Sequence, residues 1–137
     1  MTAAPSDLTP RQAWELLVAD PAAVLVDVRT RAEWVFVGLP DLSSLGRRVV
    51  PVEWTSFPGG AHNHGFLAEL EAAAPRDVPV LFTCRSGHRS LAAAEAAAGA
   101  GWERTHNVLD GFEGDLDDHG HRGARGWRAE GLPWRQS

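Results

Sequence analysis

The stretch VPVLFTCRSGHRSLAAAEAAA, residues 78–98, predicts a strand, a short loop and a helix in immediate succession. Residues 78–83 are almost wholly apolar and β-prone, which is typical of a parallel strand that is buried on both faces. Residues Ser90 to Ala98 have the composition of a helix. The loop between the two elements contains Cys84, the only cysteine of the chain.

The segments on either side of this stretch continue the alternation of strands and helices. Further strands are predicted at residues 23–28, 47–54 and 106–109, and further helices at residues 10–19, 31–37 and 66–74. Pro51 places the second of these strands at a sheet edge or at a strand end. Residues 41–46 and 56–65 are predicted loops. This order is typical of an α/β domain in which helices flank a mainly parallel central sheet.

The first helix has a clear start signal in the sequence. Thr9 is a good N-cap, Pro10 suits the first helical position, and Gln12 is placed to close a capping box. Asp20-Pro21 predicts the end of this helix.

Length and composition predict a single domain over residues 1–137, with a core at about residues 8–114. A hydrophobic share of 44%, with six tryptophans, is typical of a globular protein. From Asp115 onward glycine and charged residues dominate until Trp127, Leu132 and Trp134. We expect residues 115–137 to form a tail that packs back on the core through these apolar side chains.

Several partners and locations are disfavoured by the composition. The net charge of −5 argues against a nucleic-acid surface, which needs a clustered basic face. No apolar run is long enough to span a membrane, and the N-terminal stretch MTAAPSDLTP lacks the features of a secretory signal. A lone cysteine fits a reducing compartment. The sequence thus predicts a cytoplasmic protein.

The surroundings of Cys84 favour a reactive thiol over an inert one. The cysteine follows the carboxyl end of a predicted parallel strand, where ligands bind in sheets of this type. Gly87 permits an anion-binding turn of backbone amides at the start of the next helix, and Arg85 and Arg89 add positive charge. These features favour the thiolate and predict a nucleophile. A buried filler cysteine would not need them.

Four motifs resemble those of single-domain rhodanese-like sulfurtransferases. The loop CRSGHRS, residues 84–90, resembles their active-site loop. Residues 26–29, VDVR, with Glu33-Trp34, resemble their first strand and the helix after it. Residues 107–115, NVLDGFEGD, and residues 131–134, GLPW, resemble the last strand with its glycine-bearing segment and the C-terminal end. The resemblance covers roughly residues 8–134 and implies a rhodanese-like three-layer domain.

The resemblance implies transfer of a sulfane sulfur. In such enzymes the cysteine, here Cys84, attacks a small anionic donor such as thiosulfate and becomes a persulfide. The sulfur then passes to cyanide or to a small-molecule or protein thiol. The resemblance implies no metal and no organic cofactor. Since the chain has no second cysteine, the acceptor must come from outside.

The resemblance also assigns roles to the rest of the loop. Arg85 and Arg89 would hold the anionic end of the donor, and the backbone amides of Ser86 to Ser90 would surround the persulfide. The predicted substrate-binding set is Arg85, Ser86, Gly87, His88, Arg89, Ser90 and, as a weaker candidate, Arg29. For Arg29 we expect an ion pair with Asp27 that braces the loop, and for Glu33 a structural role.

Two other functions remain open for the same residues. The domain could carry persulfide to a protein partner, or dock to one, without turnover. A related phosphatase of the dual-specificity type is disfavoured, because those enzymes have five residues between cysteine and arginine. Here four residues separate Cys84 from Arg89, and position 90 is serine.

Three groups that contain histidine invite a further functional interpretation. Residues 49–64 form an insertion in which Trp54, His62 and His64 could line the entrance to the site, although a solvated loop with a packed tryptophan is favoured. His119 and His121 are metal-ligand types, but their spacing matches no closed site and a flexible polar tail is favoured. A zinc site at Cys84 and His88 is disfavoured by the flanking arginines.

Overall fold

The computed structural model describes residues 4–136. Residues 1–3 and 137 lie outside it, and with them the outer ends of the predicted domain and the start of the N-terminal stretch. The strands are β1 (Ser6–Leu8), β2 (Val24–Asp27), β3 (Leu39–Pro40), β4 (Val50–Pro51), β5 (Val80–Thr83), β6 (Thr105–Val108) and β7 (Trp134–Arg135). The helices are α1 (Pro10–Ala19), α2 (Arg31–Phe36), a 3-10 helix (Ser43–Leu45), α3 (Phe66–Ala73) and α4 (His88–Gly99).

Five strands form one parallel sheet in the order β1-β6-β5-β2-β4. Strands β3 and β7 form a separate antiparallel pair. The two central strands, β5 and β2, lie side by side with Thr83 opposite Asp27 at their carboxyl ends. Cys84 and Arg29, which follow these strands, are therefore brought to one edge of the sheet.

Helices cover both faces of this sheet because successive side chains of a strand point to opposite faces. From β5, Val80 and Phe82 pack in one cluster with buried residues of α3 and α4. Leu81 packs in a second cluster on the opposite face, together with Leu17 of α1. Each fully buried leucine or phenylalanine contributes about 1.5–3 kcal/mol. The predicted α/β class, with a parallel central sheet flanked by helices, is confirmed.

The predicted start of α1 is confirmed in detail. The Thr9 hydroxyl accepts the Gln12 backbone N–H at 3.1 Å, and the Gln12 side chain accepts the Thr9 N–H at 3.0 Å. Pro10 occupies the first helical position, and the helix ends before Asp20. The local signals were sufficient here because every partner lies within four residues.

Several predicted boundaries were wrong. The strand predicted at residues 47–54 contains only Val50–Pro51, at the sheet edge where Pro51 was expected. The N–H groups of Val52 and Trp54 still donate to carbonyls of residues 27 and 28, without forming regular strand. The loop predicted at 41–46 contains the 3-10 helix. Helix α4 begins at His88, two residues before the predicted start. Strands β1, β3 and β7 were not predicted, because two or three residues do not show a period.

The C-terminal segment packs on the same face of the sheet as α1. Trp127 is fully buried in the cluster with Leu17, and its indole N–H donates to the Pro133 carbonyl at 2.7 Å. Trp134 is 40% exposed and meets the Phe112 ring edge-on at 6.0 Å. None of the helices within residues 4–136 has the length and apolar character needed to cross a membrane.

Candidate active site

The thiol of Cys84 lies inside the turn that leads from β5 into α4. The residue is 1% exposed. Its Sγ accepts the backbone N–H of Gly87 at 3.1 Å and lies 3.2 Å from the Ser90 hydroxyl oxygen. Gly87 caps α4 with a φ of 107°, a conformation that side-chain-bearing residues rarely adopt. The turn therefore directs an amide at the sulfur.

The Ser90 hydroxyl links the thiol to a buried amide. Ser90 donates to Asn107 Oδ1 at 2.6 Å, while Asn107 Nδ2 donates to the Gly87 carbonyl at 3.3 Å and so fixes the orientation of the amide. Since the hydroxyl hydrogen is used by Asn107, the neutral thiol donates to Ser90 Oγ. A thiolate would instead accept from Ser90 once the hydroxyl turns away from Asn107.

The loop that follows β6 is hydrogen-bonded to the backbone of residues 84–90, which we call the cysteine loop. The Cys84 carbonyl accepts the Phe112 N–H at 2.8 Å, and the Arg85 carbonyl accepts the N–H groups of Glu113 at 2.9 Å and Gly114 at 3.1 Å. A Cβ atom at Gly111 would lie 2.7 Å from the carbonyl carbon of Arg85. Only glycine permits this close approach of the two loops.

Arg89 is bound by Glu33 rather than pointing alone into solvent. Its guanidinium donates to both carboxylate oxygens, at 2.7 and 2.9 Å, with 26% and 20% of the two side chains exposed. Burial acts to raise the pKa of Glu33, but hydrogen bonds from Arg89 and the Thr30 backbone outweigh it and hold that pKa below its ordinary value. The hydrogen bond to Glu33 raises the pKa of Arg89.

Arg29 is fully buried and pairs with Asp27. Its Nη2 donates to Asp27 Oδ2 at 2.7 Å and to the Gly38 carbonyl at 2.6 Å, and its guanidinium lies 4.4 Å from the centre of the Phe112 ring. The ion pair expected from the sequence is present. Arg29 has no exposed surface, and its weaker assignment to substrate binding stays a prediction.

A cleft of about 570 Å³ lies beside the cysteine loop. Its lining residues are Thr30, Ala32, Glu33, Val37, Thr55, Ser56, Phe57, Pro58, Gly60, Arg85, Arg89, Glu113 and Arg122. The exposed Arg85 and the half-buried Arg89 come from the loop itself. A second cavity, of about 510 Å³, lies between residues 39–51 and Arg135 and contains no residue of the loop.

Two groups of predicted residues lie away from the cleft. The His88 side chain is 81% exposed, with Nε2 at 3.6 Å from Asp115 Oδ1. Trp54 packs edge-on against His62 at 4.5 Å and against Phe66 of the core at 5.0 Å. The insertion contributes Phe57 and its neighbours to the cleft instead of its histidines.

The histidines of the tail form a hydrogen-bonded turn. Asp117 Oδ1 accepts the backbone N–H groups of His119 and His121, both at 2.9 Å. Within residues 4–136 no group of three or more histidine, cysteine or acidic side chains is arranged to hold a metal ion.

Phe57, Asn107 and Arg122 are among the residues of the site that were not predicted from the sequence. Asn107 belongs to a motif that resembles the last strand, but nothing in that motif indicates a bond to Ser90. Arg122 lies in a glycine-rich stretch whose composition gives no position for any one side chain. Only the folded chain brings these residues to Cys84 or to the cleft.

Comparison with known families agrees with this geometry. The family model of the rhodanese-like domain matches residues 9–118. The chain belongs to the rhodanese family. The matched region of this rhodanese contains the cysteine loop, Asp27, Glu33 and the loop after β6, and ends before Arg122.

Solved and curated relatives support the assignment. The crystal structure of Rv0390 from M. tuberculosis is 63% identical, with a TM-score of 0.92 over 98% of this chain and 100% of that one. An uncharacterized protein of Rickettsia conorii is 34% identical over 124 residues, which are 90% of this rhodanese and 92% of the relative. Thiosulfate sulfurtransferase GlpE of Haemophilus influenzae is 28% identical over 111 residues, covering 79% and 85% of the two chains. The rhodanese domain thus has sulfurtransferases among its relatives.

Proposed function

We propose that the protein is a thiosulfate sulfurtransferase that works through a persulfide on Cys84. The observation that carries this proposal is the position of Sγ, which accepts an amide N–H at the start of α4, within the region that the family model matches. In this proposal residues 1–137 act as one domain, and a reducing cytoplasmic compartment keeps the single thiol free.

The reaction has two displacement steps. The Cys84 thiolate attacks the outer sulfur of thiosulfate, a new S–S bond forms, and the old S–S bond breaks with its electron pair leaving on sulfite. An acceptor such as cyanide then attacks the outer sulfur of the persulfide. A C–S bond forms, the S–S bond breaks, and the Cys84 thiolate is regenerated. No external oxidant or reductant is consumed.

The side chains around the sulfur suit the charges of these steps. The negative charge of the thiolate is stabilised by the Gly87 N–H and by a reoriented Ser90 hydroxyl. Arg85 faces the cleft, where it can attract the donor dianion. Arg89 is paired with Glu33. It can bind the donor only if the donor displaces the Glu33 carboxylate from its guanidinium.

Intact-mass measurement tests the proposal directly. The purified protein is incubated with thiosulfate, freed of excess reagent, weighed, and then treated with cyanide. We expect a gain of one sulfur atom that cyanide removes as thiocyanate, and no gain in Cys84→Ser. Ser44→Ala, at an exposed serine of the 3-10 helix that does not line the cleft, is the control with the thiol intact.

Each alternative predicts a different result. Sulfur loading without catalytic turnover of thiosulfate and cyanide would indicate a persulfide carrier. Hydrolysis of an aryl phosphate that depends on Cys84 would indicate a phosphatase. A mass that does not change with thiosulfate would overturn the proposed donor.

A further inference from the structure

Arg122 is the cleft residue that lies outside the region matched by the family model. That region ends at residue 118, whereas Arg122 follows the turn held by Asp117. Its side chain is half-buried and lines the same cleft as Arg85 and Arg89. The C-terminal segment therefore adds a cation to the face on which the donor would bind.

Backbone contacts hold Arg122 in this position. Its Nη1 donates to the Gly114 carbonyl at 2.8 Å. The N–H of the same Gly114 donates to the Arg85 carbonyl at 3.1 Å, and the Gly123 N–H donates to the Glu113 carbonyl at 3.0 Å. A single peptide segment thus connects the Arg122 guanidinium to the cysteine loop. The arginine is anchored rather than a mobile surface side chain.

The charges of the cleft show what Arg122 contributes. Three arginines and two carboxylates line it. Glu33 pairs with Arg89, and Glu113 lies 3.7 Å from Arg128 outside the lining set. Both lining carboxylates are therefore paired, and Arg85 and Arg122 together leave the cleft with a net positive charge, half of which Arg122 supplies. A net positive cleft concentrates anions near the loop.

From these observations we propose that Arg122 is a donor-binding residue that makes the site selective for anionic sulfur donors. The proposal rests on the proposed sulfurtransferase function for its substrate, and on geometry and charge for its selectivity. It predicts that removing the charge of Arg122 weakens the approach of anions to Cys84 and leaves neutral reagents unaffected.

A pair of alkylating reagents of nearly equal shape separates charge from structure. Iodoacetate is anionic and iodoacetamide is neutral, and both alkylate Cys84 without any sulfur transfer. We expect Arg122→Gln to lower the ratio of the iodoacetate rate to the iodoacetamide rate by about tenfold at low salt. Arg122→Lys, which keeps the charge, should retain most of the wild-type ratio. Added salt should reduce the difference between wild type and Arg122→Gln.

Two controls distinguish the loss of the Arg122 charge from a structural change of the loop. The iodoacetamide rate reports any structural change at the cysteine loop, so a variant that keeps the wild-type iodoacetamide rate has kept the loop in place. Arg125→Gln is the matched control, because Arg125 is an exposed arginine of the same segment that does not line the cleft. An unchanged ratio in Arg122→Gln, or an equal fall in Arg125→Gln, would overturn the proposal.

Steady-state kinetics then connect the selectivity to the donor. We expect Arg122→Gln to raise the KM for thiosulfate about tenfold and to leave kcat within about twofold. A wild-type protein that discriminates between the two alkylating reagents but does not turn over thiosulfate would refute the proposed donor and leave the selectivity of Arg122 standing. A fall in kcat with an unchanged KM would contradict the binding role.

Discussion

Glu33 holds Arg89 through two hydrogen bonds, of 2.7 and 2.9 Å, and also closes the capping box that begins α2. In the capping box, Glu33 Oε1 accepts the Thr30 N–H at 3.1 Å. One carboxylate therefore joins the start of α2 to the first turn of α4, across the edge of the sheet where Cys84 lies. We infer that this pair sets the position of the cysteine loop as much as it sets the charge of the cleft.

Replacing Glu33 with glutamine should change how stability depends on pH. The folded-state pKa of Glu33 lies below its ordinary value of 4.5, so the pair stabilises the protein above that value and the stabilisation is lost as pH falls through the lowered pKa. At neutral pH we expect Glu33→Gln to lower the free energy of unfolding by about 1–2 kcal/mol. The difference should shrink in acid. Urea unfolding at several pH values measures it.

Glu71 provides the control for this experiment. It pairs with Arg76 at 2.8 Å, but both side chains are largely exposed, at 62% and 44%. Exposed pairs contribute little because water and salt screen them. Glu71→Gln should therefore leave stability nearly unchanged at neutral pH. An equal effect of the two substitutions would show that burial does not matter at Glu33.

Much of the fold could be predicted from the sequence because its signals are local. The capping box of α1 and the apolar run of β5 each involve a few neighbouring residues. Strands β3 and β7 could not be predicted, since neither exceeds two residues. Pro40 of β3 pairs with Trp134 of β7, and the two residues are far apart in the sequence. Pairing between such short, distant strands depends on how the rest of the chain folds rather than on a local sequence pattern.

The residues of the candidate site also fall into those that the sequence predicts and those that it does not. The cysteine loop is one continuous segment, so its residues could be named in advance, and the Asp27–Arg29 pair lies within three positions. Asn107, Phe57 and Arg122 reach the site from three distant segments. Their placement depends on how β6, the insertion and the tail pack around the sheet, which no local spacing encodes.

Ser90→Ala should slow alkylation of Cys84. In the neutral state the thiol donates to Ser90 Oγ, and in the ionised state the hydroxyl can turn to donate to the sulfur. A hydrogen bond to a charged group contributes about 1.5–3 kcal/mol, part of which is offset by losing the bond to Asn107. We expect the iodoacetamide rate at neutral pH to fall by about fivefold. Ser44→Ala, at an exposed serine outside the cleft, should react at the wild-type rate. Equal rates for Ser90→Ala and wild type would exclude this contact as a source of reactivity.

Asp27→Asn should destabilise the protein because it removes the carboxylate that is hydrogen-bonded to the buried Arg29 cation. Both side chains are fully buried, and Arg29 would retain the Gly38 carbonyl and the Phe112 ring as its main neighbours. Breaking a buried ion pair on one side costs about 3–5 kcal/mol. Adding Arg29→Met should restore part of the loss, since the uncompensated charge is then removed. A double variant less stable than Asp27→Asn would contradict this explanation.

Gly111→Ala tests the contact between the two loops on which the position of Cys84 depends. Gly111 has a φ of 55°, and a Cβ there would overlap the Cys84 carbonyl oxygen and lie 2.7 Å from the carbonyl carbon of Arg85. Left-handed backbone alone costs alanine about 1–2 kcal/mol, and displacing packed backbone adds a further cost of about 1–3 kcal/mol. Gly120 has a φ of 75° and no atom within 4 Å of its Cβ position, so a substitution there measures the cost of the left-handed backbone alone. We therefore expect urea unfolding to show a loss of more than about 2 kcal/mol for Gly111→Ala and a smaller loss for Gly120→Ala. Equal losses would mean that the cysteine loop tolerates displacement, and alkylation of Cys84 would then be unchanged in both variants.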